Sequence, residues 1–293
     1  MRILVAGASG LIGSALVERL TARGDEVTRL VRREVRSPDE VRWDAMSLDP
    51  SVVDDVDAVV NLSGASVGRI PWTPSYRRVL LQSRVHPTVA LAEAIVASTR
   101  PPGVYVSGSA VGIYGDRPGE LLDESAATGE GFFPDLVRAW EAASAIAAGA
   151  TRVANPRTAV VISHDGGAMT PIRLLTSFGL GAGFGRGAQF WPWISLHDEV
   201  SALLHLVFSQ LEGPVNLAAP TPATSDEVTE AFAHVMHRPH VLRVPSVAVK
   251  VLGEAGSRLL LDDLNVVPAK LMADGFVWTY PTIVDAVRAI AKP

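Results

Sequence analysis

One stretch near the start of the chain, Ile3 to Gly13 (ILVAGASGLIG), restricts the fold more than any other. Ile3 to Ala6 are apolar and predict a buried strand. Gly7, Gly10 and Gly13 follow at three-residue spacing, and Leu11, Ala15, Leu16 and Leu20 then recur at the period of an amphipathic helix. A strand, a glycine turn and a helix start in immediate succession make a cradle for a diphosphate. The first glycine permits the tight turn, the second lets the backbone approach a ligand, and the third lets helix and strand pack closely. The helix dipole and the unpaired N–H groups of the first turn favour an anion there. Gly7, Ser9, Gly10, Leu11, Ile12 and Gly13 are therefore the expected cofactor contacts. A tight β-to-α turn without a ligand is the alternative.

Strand and helix signals alternate through the first half. Gly24 closes the first helix, and strands are expected at Glu26–Val31, Val56–Leu62, Gly103–Ser107 and Arg157–Ile162. Helices are expected at Tyr76–Ala97 and Leu136–Ala148. This alternation predicts an α/β fold, a Rossmann-type doubly wound parallel sheet with helices on both faces. The second half differs. Gly179–Gly187 holds five glycines in nine residues and reads either as an ordered loop near a ligand or as a plain surface loop. Val215–Ala218 is expected to return to the sheet, and helices follow at Ser225–Met236, Ser246–Leu260 and Thr282–Ala291. The expected organisation is a nucleotide domain over residues 1–162, with 195–218 returning to it. Residues 163–194 and 219–293 form a smaller, mostly helical C-terminal substrate lobe.

Composition narrows the partners. The 293 residues carry a net charge of −5, which argues against nucleic acid, since phosphate binding needs a basic face. No apolar run reaches membrane-spanning length, and no cleavage-site pattern follows the first strand, so a cytoplasmic protein is expected. The absence of cysteine excludes disulfides, thiolate catalysis and cysteine-ligated zinc.

The tip of the second strand discriminates between nicotinamide cofactors. A carboxylate there binds a ribose 2′-hydroxyl, whereas arginine accommodates a 2′-phosphate. This strand runs Val27-Thr28-Arg29-Leu30-Val31-Arg32-Arg33 without a carboxylate at its end. Arg32 and Arg33 point to NADP(H); two solvated surface arginines are the alternative. Asp44 follows Trp43 and either faces the adenine amino group or closes a turn.

Further segments complete a family pattern. They are Val59-Val60-Asn61-Leu62-Ser63-Gly64, Ser83-Arg84, Ser107-Gly108-Ser109-Ala110-Val111-Gly112-Ile113-Tyr114-Gly115-Asp116 and Trp140-Glu141-Ala142-Ala143. Gly166-Gly167-Ala168, Gln189-Phe190-Trp191-Pro192-Trp193-Ile194, Gly213-Pro214-Val215-Asn216 and Gly275-Phe276 continue it. Nearly end to end, the chain resembles the extended short-chain dehydrogenases/reductases, and within them the atypical epimerase-like subgroup. The resemblance implies cofactor contacts at Leu62, Ser63, Gly64, Arg84 and Ser107. It also implies a possible homodimer through the helices at Tyr76–Ala97 and Leu136–Ala148.

The chain departs from that family at its centre. Similar enzymes carry a Tyr-x-x-x-Lys pair, whose lysine favours the phenolate of a tyrosine with an ordinary pKa of about 10. Aligning Glu141 with the family's helix glutamate puts Phe133 and Val137 at those positions, and no tyrosine or lysine lies between Gly115 and Lys250. Hydride chemistry survives such a loss, because the cofactor carries it. Ser109 stands at the catalytic serine position, Tyr114 is the nearest phenol, and water is a third donor. Structural roles compete with each: a strand-end hydroxyl for Ser109 and a buried anchor for Tyr114. His197 is a candidate acid or a junction residue, and Asp198 is expected to order its loop.

The substrate side departs too. The residue after Arg157 is threonine, then Ala159 and Val160, where nucleotide-sugar enzymes place a diphosphate-binding asparagine. Phe132, Phe133, Phe184, Phe190, Trp191 and Trp193 suggest an apolar pocket, or core packing. His164-Asp165 face a substrate or form a turn. The function expected is an NADP(H)-dependent oxidoreductase acting on a small, largely apolar carbonyl, imine or conjugated alkene. The alternatives are a non-redox isomerase, epimerase, dehydratase or cyclase, and an NADP-sensing binding protein.

Overall fold

The computed structural model describes residues 1–164, 166–167 and 169–291. Asp165 and Ala168, both in the expected turn after Ile162, lie outside the described residues.

The chain begins β1 (Arg2–Ala6), α1 (Leu11–Ala22), β2 (Glu26–Val31), β3 (Glu40–Arg42), β4 (Ala58–Asn61), α2 (Pro74–Ala97) and β5 (Val104–Ser107). The two-residue strand β6 (Ser109–Ala110), a 3-10 turn at Val111–Tyr114 and β7 (Leu121–Leu122) lead to α3 (Phe132–Ser144). Then come β8 (Arg152–Thr158), β9 (Val160–Ile162), α4 (Thr170–Ser177), β10 (Gly181–Phe184), β11 (Trp193–Ser195), α5 (Leu196–Phe208) and β12 (Gly213–Leu217). The C-terminal part holds α6 (Ser225–Val235), β13 (His240–Val244), α7 (Ser246–Lys250), α8 (Gly253–Leu260), β14 (Asn265–Val266), α9 (Ala269–Ala273) and α10 (Ile283–Ala291).

The main sheet is parallel, in the order β12-β8-β5-β4-β1-β2-β3, with β6 also paired to β8. Strand order reverses between β1 and β4, which places a ligand crevice at their carboxyl ends. Alternation along β1 sends Ile3 and Val5 into one apolar core and Leu4 and Ala6 into another, so both faces are covered. A third core, built on Trp191, Trp193, Phe232 and Val287, is formed by elements from the end of β9 onward.

Several elements differ from expectation for identifiable reasons. Arg157–Ile162 is not one strand. The Ala159 N–H bonds Leu217 and the Val160 N–H bonds Pro192, so the chain changes partners from β12 to β11 within two residues. The glycine-rich run at 179–187 contains β10, paired in parallel with β13. A Cβ at Gly181 would lie 2.7 Å from the Pro239 carbonyl, so glycine permits that approach. The helix expected at Ser246–Leu260 is two helices, α7 and α8, separated at Gly253, whose φ is +75°.

Candidate functional site

The glycine turn separates what the chain needs from what a ligand needs. Gly7 has φ of +79°, and a Cβ there would fall 2.6 Å from the Leu62 carbonyl carbon. A Cβ at Gly13 would fall 2.2 Å from the Gly7 carbonyl oxygen. Both glycines are demanded by internal packing. Gly10 is exposed, and the nearest atom to its Cβ position is the Gly7 oxygen at 3.4 Å, an ordinary contact. Among the described residues only that oxygen comes within 4 Å of a Cβ placed at Gly10, which caps α1 without a side-chain hydrogen bond and with no acid in the first turn. A diphosphate fits this cradle: an exposed glycine, first-turn amides without intrahelical partners, and no acid in the first turn of α1. Beyond it, Gly167 abuts Leu11, with its Cβ position 3.4 Å from Leu11 Cδ2, so the loop after β9 closes against the start of α1.

The loop after β4 forms the next wall. The Leu62 N–H bonds the Ala6 carbonyl, the Ser63 N–H bonds Asn61 Oδ1, and the Ala65 N–H bonds Ser83 Oγ. Arg84 comes from α2 and is buried at 9% exposure. Its guanidinium donates to the Leu80 and Ala65 carbonyls at 3.0 Å each and lies 5.2 Å over the Trp140 ring. It packs at Gly64, where a Cβ would come within 3.1 Å of Cζ. Among the described residues no carboxylate pairs with it. Burial pulls its pKa down to about 10, so it remains a cation at neutral pH.

At the far end of the crevice, the two arginines at the tip of β2 behave differently. Arg32 is exposed and has no hydrogen-bond or acid partner among the described residues. Arg33, expected beside it at a 2′-phosphate, is bound to both oxygens of Glu40 at 2.8 and 2.7 Å. Asp44 Oδ1 accepts the Met46 and Ser47 N–H groups at 2.8 and 3.0 Å, and these bonds hold its carboxyl below the usual range. That geometry is the turn role anticipated as one alternative.

Ser107 is fully buried at the end of β5, and Ser109, in β6, is 4% exposed. Ser109 Oγ donates to Glu141 Oε1 at 2.6 Å. Glu141 in turn accepts Arg157 Nε at 2.9 Å and Nη2 at 3.0 Å. Arg157 Nη1 donates to the Tyr114 hydroxyl at 3.0 Å, which lies 2.7 Å from Asn216 Oδ1 and 2.9 Å from the Asp123 carbonyl. Tyr114 is wholly buried, and that burial pushes its phenol above the ordinary range, with Arg157 opposing only part of the shift. A catalytic role for Tyr114 does not suit a sealed phenol bonded to Arg157, Asn216 and the Asp123 carbonyl; the tyrosine anchors the network. Glu141, which sequence spacing used only to align the helix, proves to be the partner that orients Ser109. No sequence signal joins them, because residues 32 apart meet only when α3 packs on β6.

Phe133 and Val137 occupy the face of α3 expected for the missing acid pair. Val137 is fully buried. The Phe133 ring covers Gly112, where a Cβ would lie 2.1 Å from it, and stacks on Trp72 at 5.5 Å. Phe132 meets Trp72 edge-on at 5.9 Å, and Arg77 stands 5.0 Å over Phe132 while pairing with Glu254 of α8. An apolar aromatic wall thus stands near Ser109, with α8 tied across it. Trp191 and Trp193 are core residues of the C-terminal lobe, and Phe184 packs on Trp191 at 5.8 Å. His197 contacts Arg19 and Tyr280, while buried Asp198 accepts Ser195 Oγ and the Thr279 and Tyr280 N–H groups, fastening the C-terminal segment. His164 is exposed just beyond β9. No helix among the described residues is long and apolar enough to cross a membrane.

Comparison with known proteins agrees with this geometry. Residues 3–217 match the NAD dependent epimerase/dehydratase family, and residues 244–290 match a domain of unknown function, DUF1731. The epimerase family protein ML0860 of Mycobacterium leprae is 40% identical over 299 residues, covering 99% of this chain and 96% of that one. The human epimerase family protein SDR39U1 is 33% identical over 295 residues, covering 99% of each. The crystal structure of human SDR39U1 (isoform 2) with NADPH has a TM-score of 0.92 to this fold, again over 99% of both chains. The chain belongs to the NAD dependent epimerase/dehydratase family, as an atypical member of the short-chain dehydrogenases/reductases.

Proposed function

We propose that this protein is an NADP(H)-dependent oxidoreductase acting on a small, largely apolar carbonyl, imine or conjugated alkene. One observation supports the substrate class: Phe133, stacked on Trp72, covers Gly112 with an apolar ring, three residues after Ser109, whose hydroxyl is oriented by Glu141. The open cradle at Gly10, the cation at Arg84 and the free Arg32 support the cofactor, and human SDR39U1 was crystallised with NADPH.

Bound NADPH would supply a hydride at its nicotinamide C4. Ser109, held ready by Glu141, turns its one O–H from that carboxylate to the acceptor oxygen or nitrogen when substrate binds. Phe133 and Val137 have no proton to give, so we assign the balancing proton to water, relayed through Ser109. A carbonyl, a hydride and a proton then account for the alcohol. Leu62, Ser63, Gly64 and Ser107 line the cofactor's path, and Asp44 holds the turn beneath its adenine end. Exposed Val79 and Val96 on α2 and Ile146 after α3 offer a surface for a second copy.

The test follows absorbance of the reduced nicotinamide with a panel of apolar aldehydes, ketones, imines and enones. Net oxidation is expected, and Ser109→Ala should lower turnover by roughly 100-fold without weakening NADPH binding. Product formed without net oxidation would instead carry the isomerase, dehydratase or cyclase reading, which the family name favours. NADPH binding with no reaction across the panel would favour a sensing role.

A further inference from the structure

The segment from β2 to β3 carries Arg29, Arg32, Arg33, Arg36 and Arg42 against Glu34, Asp39 and Glu40. Most of these charges neutralise one another. Arg29 pairs with Asp39 at 2.7 Å and Arg42 with Glu34 at 2.5 Å. Arg33 spends one N–H on the Glu34 carbonyl and two on Glu40. The side chains of Arg32 and Arg36 are exposed and have no acid partner among the described residues.

Glu40 differs from the other two acids. Its side chain is only 2% exposed. Besides both Arg33 bonds it accepts the Arg36 backbone N–H at 2.8 Å, and Arg29 Nη2 lies 3.3 Å away. The Arg33 bonds, then the Arg36 N–H, hold its carboxyl down at about 2, so it stays ionised throughout the physiological range. A buried carboxylate thus stitches the segment to itself at two points, one side chain and one backbone amide.

This inference rests on the assignment of NADP(H) as cofactor. We propose that Glu40 is a positioning residue for the cofactor's 2′-phosphate: it withdraws Arg33 from the phosphate, pins the backbone at Arg36, and leaves Arg32 as the free guanidinium that binds. Pre-organisation of this kind lowers the ordering cost at binding. It also makes a distinctive prediction. Coulomb's law alone says that removing a carboxylate beside a phosphate tightens binding. Positioning says that it weakens binding, and only for the phosphorylated cofactor.

Calorimetric titration of the purified protein with NADPH and with NADH separates the two. Arg32→Ala should lose about 100-fold of NADPH affinity and bring it close to that for NADH. Glu40→Gln should lose about 10-fold for NADPH and leave NADH unchanged. Glu40→Asp keeps the charge but shortens the reach, and should show the same selective loss. Amide exchange over residues 33–39 should quicken in both Glu40 variants without cofactor present. Unchanged or tighter NADPH binding in either Glu40 variant, or an equal loss of both cofactors, overturns the proposal. If Arg32→Ala leaves NADPH binding intact, the 2′-phosphate assignment itself fails, whatever Glu40 does.

Discussion

Two buried arginines, Arg84 and Arg157, sit near the crevice, and they are satisfied in opposite ways. Arg157 is 5% exposed and meets a carboxylate through two bonds and a phenol through a third. Arg84 is 9% exposed and meets two carbonyls and an indole face, with no acid partner among the described residues. A buried charge is costly unless its counter-charge is buried with it. Arg157 has been completed by the chain and holds the scaffold together. Arg84 has been solvated by two carbonyls and a ring face, with no counter-charge among the described residues. The difference teaches how to divide buried cations here: those the chain neutralises itself and those it leaves uncompensated.

The largest test breaks the closed side. Glu141→Ala strips the counter-ion from Arg157 and the acceptor from Ser109, and chemical denaturation should show a loss of roughly 3–5 kcal/mol. A loss below about 1 kcal/mol would mean that the network does not hold the fold. On the open side, Arg84→Gln should leave stability within about 1 kcal/mol. It should cost NADPH roughly 1.5–3 kcal/mol, about 10- to 100-fold in affinity by calorimetry. A stability loss as large as that of Glu141→Ala would erase the distinction.

Glu199 sharpens the comparison with the smallest effect. It is wholly buried on α5, with Oε1 accepting Thr158 Oγ1 at 2.8 Å and Oε2 unpartnered. With no cation paired to it among the described residues, it answers burial by holding its proton, with its pKa pushed up to about 8 from 4.5. The folded state therefore binds that proton more tightly than the unfolded chain does. Its contribution is fully present below about pH 4.5 and is lost as pH rises through about 8. Glu199→Gln keeps the neutral shape, so it should flatten the decline in melting temperature over that interval. At pH 8 it should leave the variant more stable than the parent protein. An unchanged pH profile would show that Glu199 is not the group responsible.

Much of the scaffold was legible because its signals are local. Glu26–Val31 matches β2 residue for residue, and the buried run of β5, Val104–Ser107, differs from expectation by one residue. What escaped was structure made by pairing rather than pattern. β10 and β13 are held by each other's backbone, and the glycines of β10 and the exposed side chains of β13 carry no apolar alternation to announce them. In the site, the glycine turn was readable from spacing. The pairing of Arg33 with Glu40 was not, since Glu40 lies seven residues from Arg33 and reaches it only after β2 and β3 align.

By itself the sequence determined the parallel sheet and the glycine turn between β1 and α1, because each depends on residue type at short, fixed spacing. The tertiary structure alone decided which polar groups are spent and which are free. Glu141 closes on Ser109 and Arg157, Glu40 closes on Arg33, and Arg84 and Arg32 are left open. That outcome turns on charges meeting across separate elements, and a hydrogen bond acts over about 3 Å, a distance that only packing sets.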